Sequence, residues 1–546
     1  MSIKIVSILA LCTSMAIAAP AIWNGTADVS WYTSSAQTYN LTTAEQLAGL
    51  AKLVNQGTSS FEGKTITLAF DIFLNDTAGA AAGTWASVPH TEWTPIGTSS
   101  RPFKGEFDGI AGKKNRKIYG LYVNNATKDY MGLFGYTNNV KISNLDVLVG
   151  RITAKDNVGA LVGYAAGGSV TNVHSEVKVT GNNHVGGLVG YFTGTLSTSS
   201  VKENVTGQDS VGGLVGITTG SVSGTDKSNS YFTGNVSGRK YVGGLVGAGS
   251  SISKSYAEGI VKGDSSYVGG VAGYARGIID STYHIDGNVS GNGYVGGLVG
   301  YVSFTVSNSY SEGDVTGTGN YVGGLVGRGA AIDVSYHDSG IVSGKSYVGG
   351  LAGYTAGTVT GSHSEGIVSG TGNYVGGLVG YGVSVDSSNH TKGDVNGAGY
   401  VGGLIGQVSS SVTNSYSEGN VTGTIYVGGL IGNGALITAS SAKGDINGQN
   451  YVGGLAGQTT SSVNNSSSEG DVTGQGNYVG GLIGLSYYHY SGKFNETVMT
   501  AQNSFAIGNV KGKGYVGGLI GLDSIYSSSN GIKNLVQRIS NSHSVG

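Results

Sequence analysis

The sequence predicts an all-β protein, a parallel β-helix (β-solenoid) with about 26–27 residues and three short strands per coil and one N-terminal capping helix. Three observations predict it. The hexapeptide Val-Gly-Gly-Leu-Val-Gly, or a near variant, recurs with its first residue at Val158, Val185, Val211, Val242, Val268, Val295, Val322, Val348, Val375, Val401, Val427, Val452, Val479 and Val516. A fixed period of this size denotes stacked supersecondary units. Between copies lie only short runs rich in Val, Tyr, Ser and Thr, separated by Gly or Asn, and none is long enough for a crossover helix. Apolar residues recur in phase, so 100 glycines and a charged fraction of only 11% describe a repeating core and not low-complexity disorder.

In chain order, residues 1–18 have the pattern of a signal peptide. Lys4 precedes an apolar run, residues 5–17, that is too short to span a bilayer, and Ala16-Ile17-Ala18 is a small-x-small cleavage site. The pattern predicts a secreted or cell-surface protein starting near Ala19, with no transmembrane segment in the mature chain. Cys12, the single cysteine, is lost with it. The rod must then be held by its stacked sheet and not by disulfides.

Residues 19–40 read as a polar leader. Residues 41–129 read as an N-terminal cap with irregular first coils. Its helix is expected over 42–55, with Thr42 and Glu45 as a capping box, Gly57 as the stop, and Leu47, Leu50, Ala51 and Val54 on one face. Such a lid would shield the open core and unpaired edge of the first coil. Strand-like segments follow at 65–68, 103–107 and 117–123, and Met131 opens a degenerate first hexapeptide. The regular array occupies 130–546. It stops partway through a further coil opened by Ile539, which predicts that more sequence follows.

In the coil at Val295 the three expected strands are 294–301, 305–310 and 313–316. The glycine pair inside the hexapeptide needs a cause, because Gly weakens a strand. A bulge or corner would let Val and Leu both point inward; a core too narrow for a Cβ is the alternative. Extra residues near 225–228 and within 487–498, the latter holding Tyr487, Tyr488, His489, Tyr490 and Phe494, are expected to protrude. Coils alternate in type, so the duplicated unit is two coils, about 53 residues. Aligning each coil on its following Gly places Glu365, Lys392, Glu418, Lys443 and Glu469 in one column of alternating charge, a device that would fix register.

Tyr321-Val322-Gly323-Gly324-Leu325-Val326-Gly327 and its repeats resemble the GLUG repeat of bacterial surface and secreted proteins over residues 130–546. The segment from Leu41 through Trp93-Thr94-Pro95-Ile96-Gly97 and on to Gly109 resembles the leader that precedes such arrays. The resemblance implies an extracellular, adhesin-like protein. Some relatives carry an immunoglobulin A peptidase domain, which needs a His-Glu-x-x-His zinc site; that string does not occur here.

A tyrosine precedes the hexapeptide in eleven consecutive copies: Tyr241, Tyr267, Tyr294, Tyr321, Tyr347, Tyr374, Tyr400, Tyr426, Tyr451, Tyr478 and Tyr515. In a solenoid these stack as an aromatic ladder, either a structural stack at a corner or a platform for sugar rings. Earlier copies carry Asn157, His184 and Ser210 here. Stacked acids (Glu258, Asp286 and Glu312; Asp445 and Asp471) imitate the spacing of a glycosidase pair, but any β-helix with repeated acids produces it. His174, His184, His284, His337, His363 and His390 follow no metal-ligand spacing, and no phosphate loop follows the glycine strings.

No catalytic residue, metal or cofactor is therefore predicted. Net charge is −2 with no basic stripe, so nucleic acid is not an expected partner. The function expected is an exported surface or adhesion rod presenting a face to glycans or to host or neighbour-cell surface proteins. The alternatives are a carbohydrate-active β-helix enzyme (lyase or hydrolase) and a passive stalk.

Overall fold

A computed structural model describes residues 21–79, 85, 89–111, 114–490, 497–527 and 536–546. The expected export signal, residues 1–18, and Phe494 lie outside these. The chain forms a parallel β-solenoid of about 16 turns with a single helix among the described residues.

Each coil is more finely broken than the sequence predicts. The coil at Val295 carries five short strands: Val295–Gly296, Val299–Val302, Val306–Ser307, Tyr310–Glu312 and Val315–Gly317. All pair in parallel with the next coil, as in Val295↔Val322, Val299↔Val326, Val306↔Ile332, Tyr310↔Tyr336 and Val315↔Val342. From the copy at Val185 onward, the first strand of each repeat belongs to a separate 13-stranded sheet, which Val158 joins only through an isolated bridge. The hexapeptide is thus split between two sheets, with its corner at the second Gly and the Leu.

Both explanations for the glycines hold. The corner lets Val295, Leu298 and Val299 all be fully buried. A Cβ on Gly297 would lie 1.9 Å from the Gly324 carbonyl of the next coil and 2.9 Å from Ser311 Oγ. On Gly296 and Gly300 it would meet backbone at 2.1 and 2.6 Å.

The helix α1 spans Ala44–Asn55, two residues shorter than expected, and is capped by Thr43. Thr43 Oγ1 accepts from Gln46 N–H at 3.3 Å, and Gln46 Oε1 accepts from Thr42 N–H at 2.8 Å. The box is displaced by one residue because Gln46, not Glu45, stands three after the cap. Leu47, Leu50, Ala51 and Val54 are buried in the core continuous with the rod, and Gly57 takes the left-handed conformation past the helix end.

The expected polar leader is not peripheral over its described part. Strand β1 (Thr38–Leu41) is itself a rung, paired in parallel with β2 (Thr65–Leu68). Trp31 and Tyr39 pack on Phe61, and residue 28 crosses α1 so closely that a Cβ on Gly49 would lie 1.8 Å from the Asp28 carbonyl oxygen.

The extra residues at 225–228 form a tight antiparallel turn. At the second insertion the backbone extends as Ile483–Tyr490 in register with Ile520–Ser527.

The charge column differs from expectation. Thr391, not Lys392, stands opposite Glu365, because Lys392 is an extra corner residue at φ 57°. Its ammonium still reaches back to Glu365 at 2.9 Å. Lys443 is in register with Glu418 and Glu469 but closes no ion pair with either among the described residues.

Candidate functional site: the tyrosine edge

The eleven tyrosines occupy a corner that only a left-handed residue can turn: their φ values run from 51° to 68°. Asn157, His184 and Ser210 adopt the same conformation at the same place. The corner, not the side chain, is therefore the constant feature. From it the rings stack without interruption, 4.9 Å for Tyr241–Tyr267, 4.7 Å for Tyr347–Tyr374 and 5.1 Å for Tyr478–Tyr515, all nearly parallel.

This geometry decides what the column offers. Each interior ring has both faces covered by its neighbours, so a sugar cannot lie flat on it. The half-buried rings keep only their edges and hydroxyls for solvent; Tyr515, at the end of the stack, is 61% exposed. Burial first, then the neighbouring phenols, raises the pKa of Tyr267, Tyr347 and Tyr374. These hydroxyls stay protonated donors across the physiological range.

A second column runs beside the first, one residue after the hexapeptide. Tyr136, Tyr164 and Tyr191 stack at 4.6 Å, Tyr274 on Tyr301 at 5.2 Å and Tyr354 on Tyr381 at 5.3 Å. It meets the first column edge-on, as in Tyr267–Tyr274 at 5.9 Å and Tyr374–Tyr381 at 5.8 Å. Between Tyr301 and Tyr354 in register stands Arg328.

A further ladder lies on the strand after the serine corner: Tyr231, Tyr256, Tyr283, Tyr310, Tyr336 and His363, at 4.8 to 5.1 Å. It was legible as the central residue of Ser309-Tyr310-Ser311 and its counterparts. Two residues on, the same strands carry Glu258, Glu312, Asp338 and Glu365. Burial, then Glu258 and the adjacent phenols, pushes Tyr256 up to about 12. Burial, then the charges of Asp338 and Asp286, raises Glu312.

The acid pairs expected from the sequence are rearranged. Ile285 stands between Glu258 and the Glu312 coil, because Asp286 is a corner residue at φ 55°; Glu312 instead faces Asp338. Asp445 and Asp471 belong to a turn ladder in which each side chain accepts the N–H of the next coil: Asp471 N–H to Asp445 Oδ1 at 2.9 Å, Asn509 N–H to Asp471 Oδ1 at 2.8 Å.

The histidines are dispersed. His284, His337 and His390 are wholly buried inside the coil, whereas His363 is in the outer ladder. His184 sits in the first column, its pKa lowered by burial. No group of His, Cys, Asp and Glu among the described residues has the arrangement of a metal site. One cavity of the N-terminal cap, about 400 Å³, is bounded by Trp23, Ala48, Ala51, Asn55 and Trp93. Among the described residues no helix is long and apolar enough to cross a membrane.

The fold and its corners define a repeat-rod module. The family model of the GLUG motif matches residues 156–180, 291–316, 397–422 and 448–473, so the chain carries GLUG repeats at four positions of its array. No curated protein and no solved structure matches the chain significantly.

Proposed function

We propose that the chain is an exported rod, a surface or adhesion module that presents its tyrosine edge to glycans or to proteins of a host or neighbouring cell. The observation that carries this reading is the unbroken column of eleven tyrosines. Hydroxyls repeated at the coil spacing, about 4.8 Å, match an extended polymer better than a compact molecule. The charged start and apolar run of residues 1–18 support export. Binding is favoured over catalysis because Asp445 and Asp471, offered by sequence as a reactive pair, are engaged in holding turns.

The test is a glycan and polysaccharide array with the chain from Ala19 onward, beside a variant with Tyr321, Tyr347, Tyr374 and Tyr400 all changed to Phe. Phenylalanine keeps the stack and removes the hydroxyls. The expected result is binding by the parent that the equally folded variant loses. A folded parent that binds nothing on the array would make the rod a passive stalk or protein-binding surface. Undiminished binding by the variant would leave the tyrosines a purely structural stack.

A further inference from the structure

Resting on that reading, we infer that the strip between Tyr267 and Tyr381 selects acidic polysaccharides, with Arg328 as the residue that pairs with their carboxylates. Arg328 replaces a tyrosine in the second column, and its guanidinium lies 4.9 Å from the Tyr354 ring, 5.8 Å from Tyr321 and 5.9 Å from Tyr301. Aromatic rings alone hold it: among the described residues it makes no ion pair and no hydrogen bond. A guanidinium held between ring systems keeps its planar fork of donors, the geometry that grips a carboxylate through two bonds. Two coils earlier Arg276 lies 5.7 Å from the Tyr274 ring.

The surroundings carry the same sign. An aromatic ring is negative on its face and positive at its edge. Stacking hides the faces of the first column, so edges and hydroxyl donors remain. Of the carboxylates of this stretch, Glu312, Asp338 and Glu365 stand on the other ladder, beyond the serine corner, and Asp286 and Asp314 lie farther along the coil. Asp280 and Asp333 stand on the strand leading into that corner, where Asp280 accepts from Ser307 and Asn308.

The spacing of charge identifies the polymer. Guanidinium groups are sparse along the strip, and phenol hydroxyls fill the coils between them. Those hydroxyls donate to and accept from sugar hydroxyls. A polymer alternating acidic with neutral sugars satisfies both. A polypeptide with a carboxylate on every residue leaves most of its charges facing groups that do not neutralise them.

The experiment is calorimetric titration of the chain from Ala19 with hyaluronan oligosaccharides, their carboxyl-reduced neutral counterparts, and polyglutamate of matched length. The expected result is binding of hyaluronan that weakens with salt, exceeds both other probes, and falls about tenfold or more in Arg328→Gln. Arg328→Lys, which keeps the charge without the fork, should recover only part. Far-UV circular dichroism checks that each variant is folded. Equal binding of the carboxyl-reduced sugar would overturn the inference and leave the proposed function standing. Equal binding of polyglutamate, or full affinity in Arg328→Gln, would also overturn it. No binding to any glycan, here or on the array, would overturn the inference and remove the glycan-binding arm of the proposed function as well.

Discussion

Lowering the pH should loosen the middle of the rod before its C-terminal coils, because of three histidines buried inside the coils. His284, His337 and His390 are fully buried in one inward column, and burial lowers each pKa from 6.5 to about 4. The carbonyls of Gly259 and Gly393, Ser311 and Ser364, and the more distant Asp286, Asp314 and Glu365 offset that burial only in part. The unfolded chain therefore binds protons more readily than the folded one. Stability is intact above pH 6.5 and is lost as the pH falls toward 4. The fall from 6.5 to about 4 corresponds to about 3 kcal/mol per histidine. The coils after Val427 are the internal control, since Ala442, Ser468 and Ala506 fill the same column there. The assay is amide hydrogen exchange resolved by coil at pH 7, 6, 5 and 4, corrected for intrinsic rates. The comparison is a variant with all three histidines changed to Phe, a ring the column already accommodates at Phe232. The parent should lose protection in the coils holding His284, His337 and His390 between pH 6 and 4, and the variant should keep it. Equal loss in the two proteins would refute the reasoning, because acid sensitivity would then come from carboxylates common to both.

Two substitutions test how the coil is held. Gly324→Ala places a methyl group 2.0 Å from the Gly350 carbonyl oxygen and 2.4 Å from His337 Cδ2. It should cost about 3 kcal/mol or more by urea unfolding, whereas Gly293→Ala, whose nearest neighbour is 3.4 Å away, should cost under about 1 kcal/mol. Ser335→Ala removes the acceptor for Ser309 N–H at 3.1 Å and should cost about 1–3 kcal/mol, with exchange accelerated at residue 309; an unchanged midpoint would show that this amide finds another partner.

The period, the strand register and the apolar face of α1 were legible because they rest on spacing, and spacing survives in a sequence. What was not legible depends on which way a corner turns. Lys392 and Asp286 look like members of charge columns when coils are aligned on the following Gly. Each instead takes a left-handed corner, and the ladder passes to Thr391 and Ile285. The serine ladder was overlooked for a related reason. Ser309, Ser335, Ser362 and Ser388 each follow a left-handed residue. Each receives the N–H of the preceding coil on Oγ, and each hydroxyl donates to a carbonyl two residues back. A repeated Ser at the surface and a repeated Ser closing a buried corner are written identically. The two-coil period, visible in sequence, gains its cause only in the structure. Large and small residues alternate in the inward column as His284, Ser311, His337, Ser364, His390 and Ser417, and Ser364 Oγ meets His390 Nδ1 at 3.1 Å.

The same corners bear on why tyrosine occupies the edge. A left-handed conformation costs an ordinary L-residue about 1–2 kcal/mol, and asparagine relieves part of that through its own backbone hydrogen bonds. A stacked aromatic pair returns about 0.5–1.5 kcal/mol. Stacking therefore roughly cancels the strain and leaves no surplus over asparagine, which fills the corner at Asn157. Folding alone tolerates tyrosine at Tyr241 and in the ten later copies without requiring it. What tyrosine adds over asparagine is a hydroxyl and a positive ring edge held at fixed spacing outside the core, beside guanidinium groups that the protein itself leaves without an anion. The stability of the corner and its capacity to bind are thus separable, and the Tyr→Phe and Arg328 variants divide them: the first removes the hydroxyls from a stack that stays intact, the second removes the charge from an edge that keeps its hydroxyls.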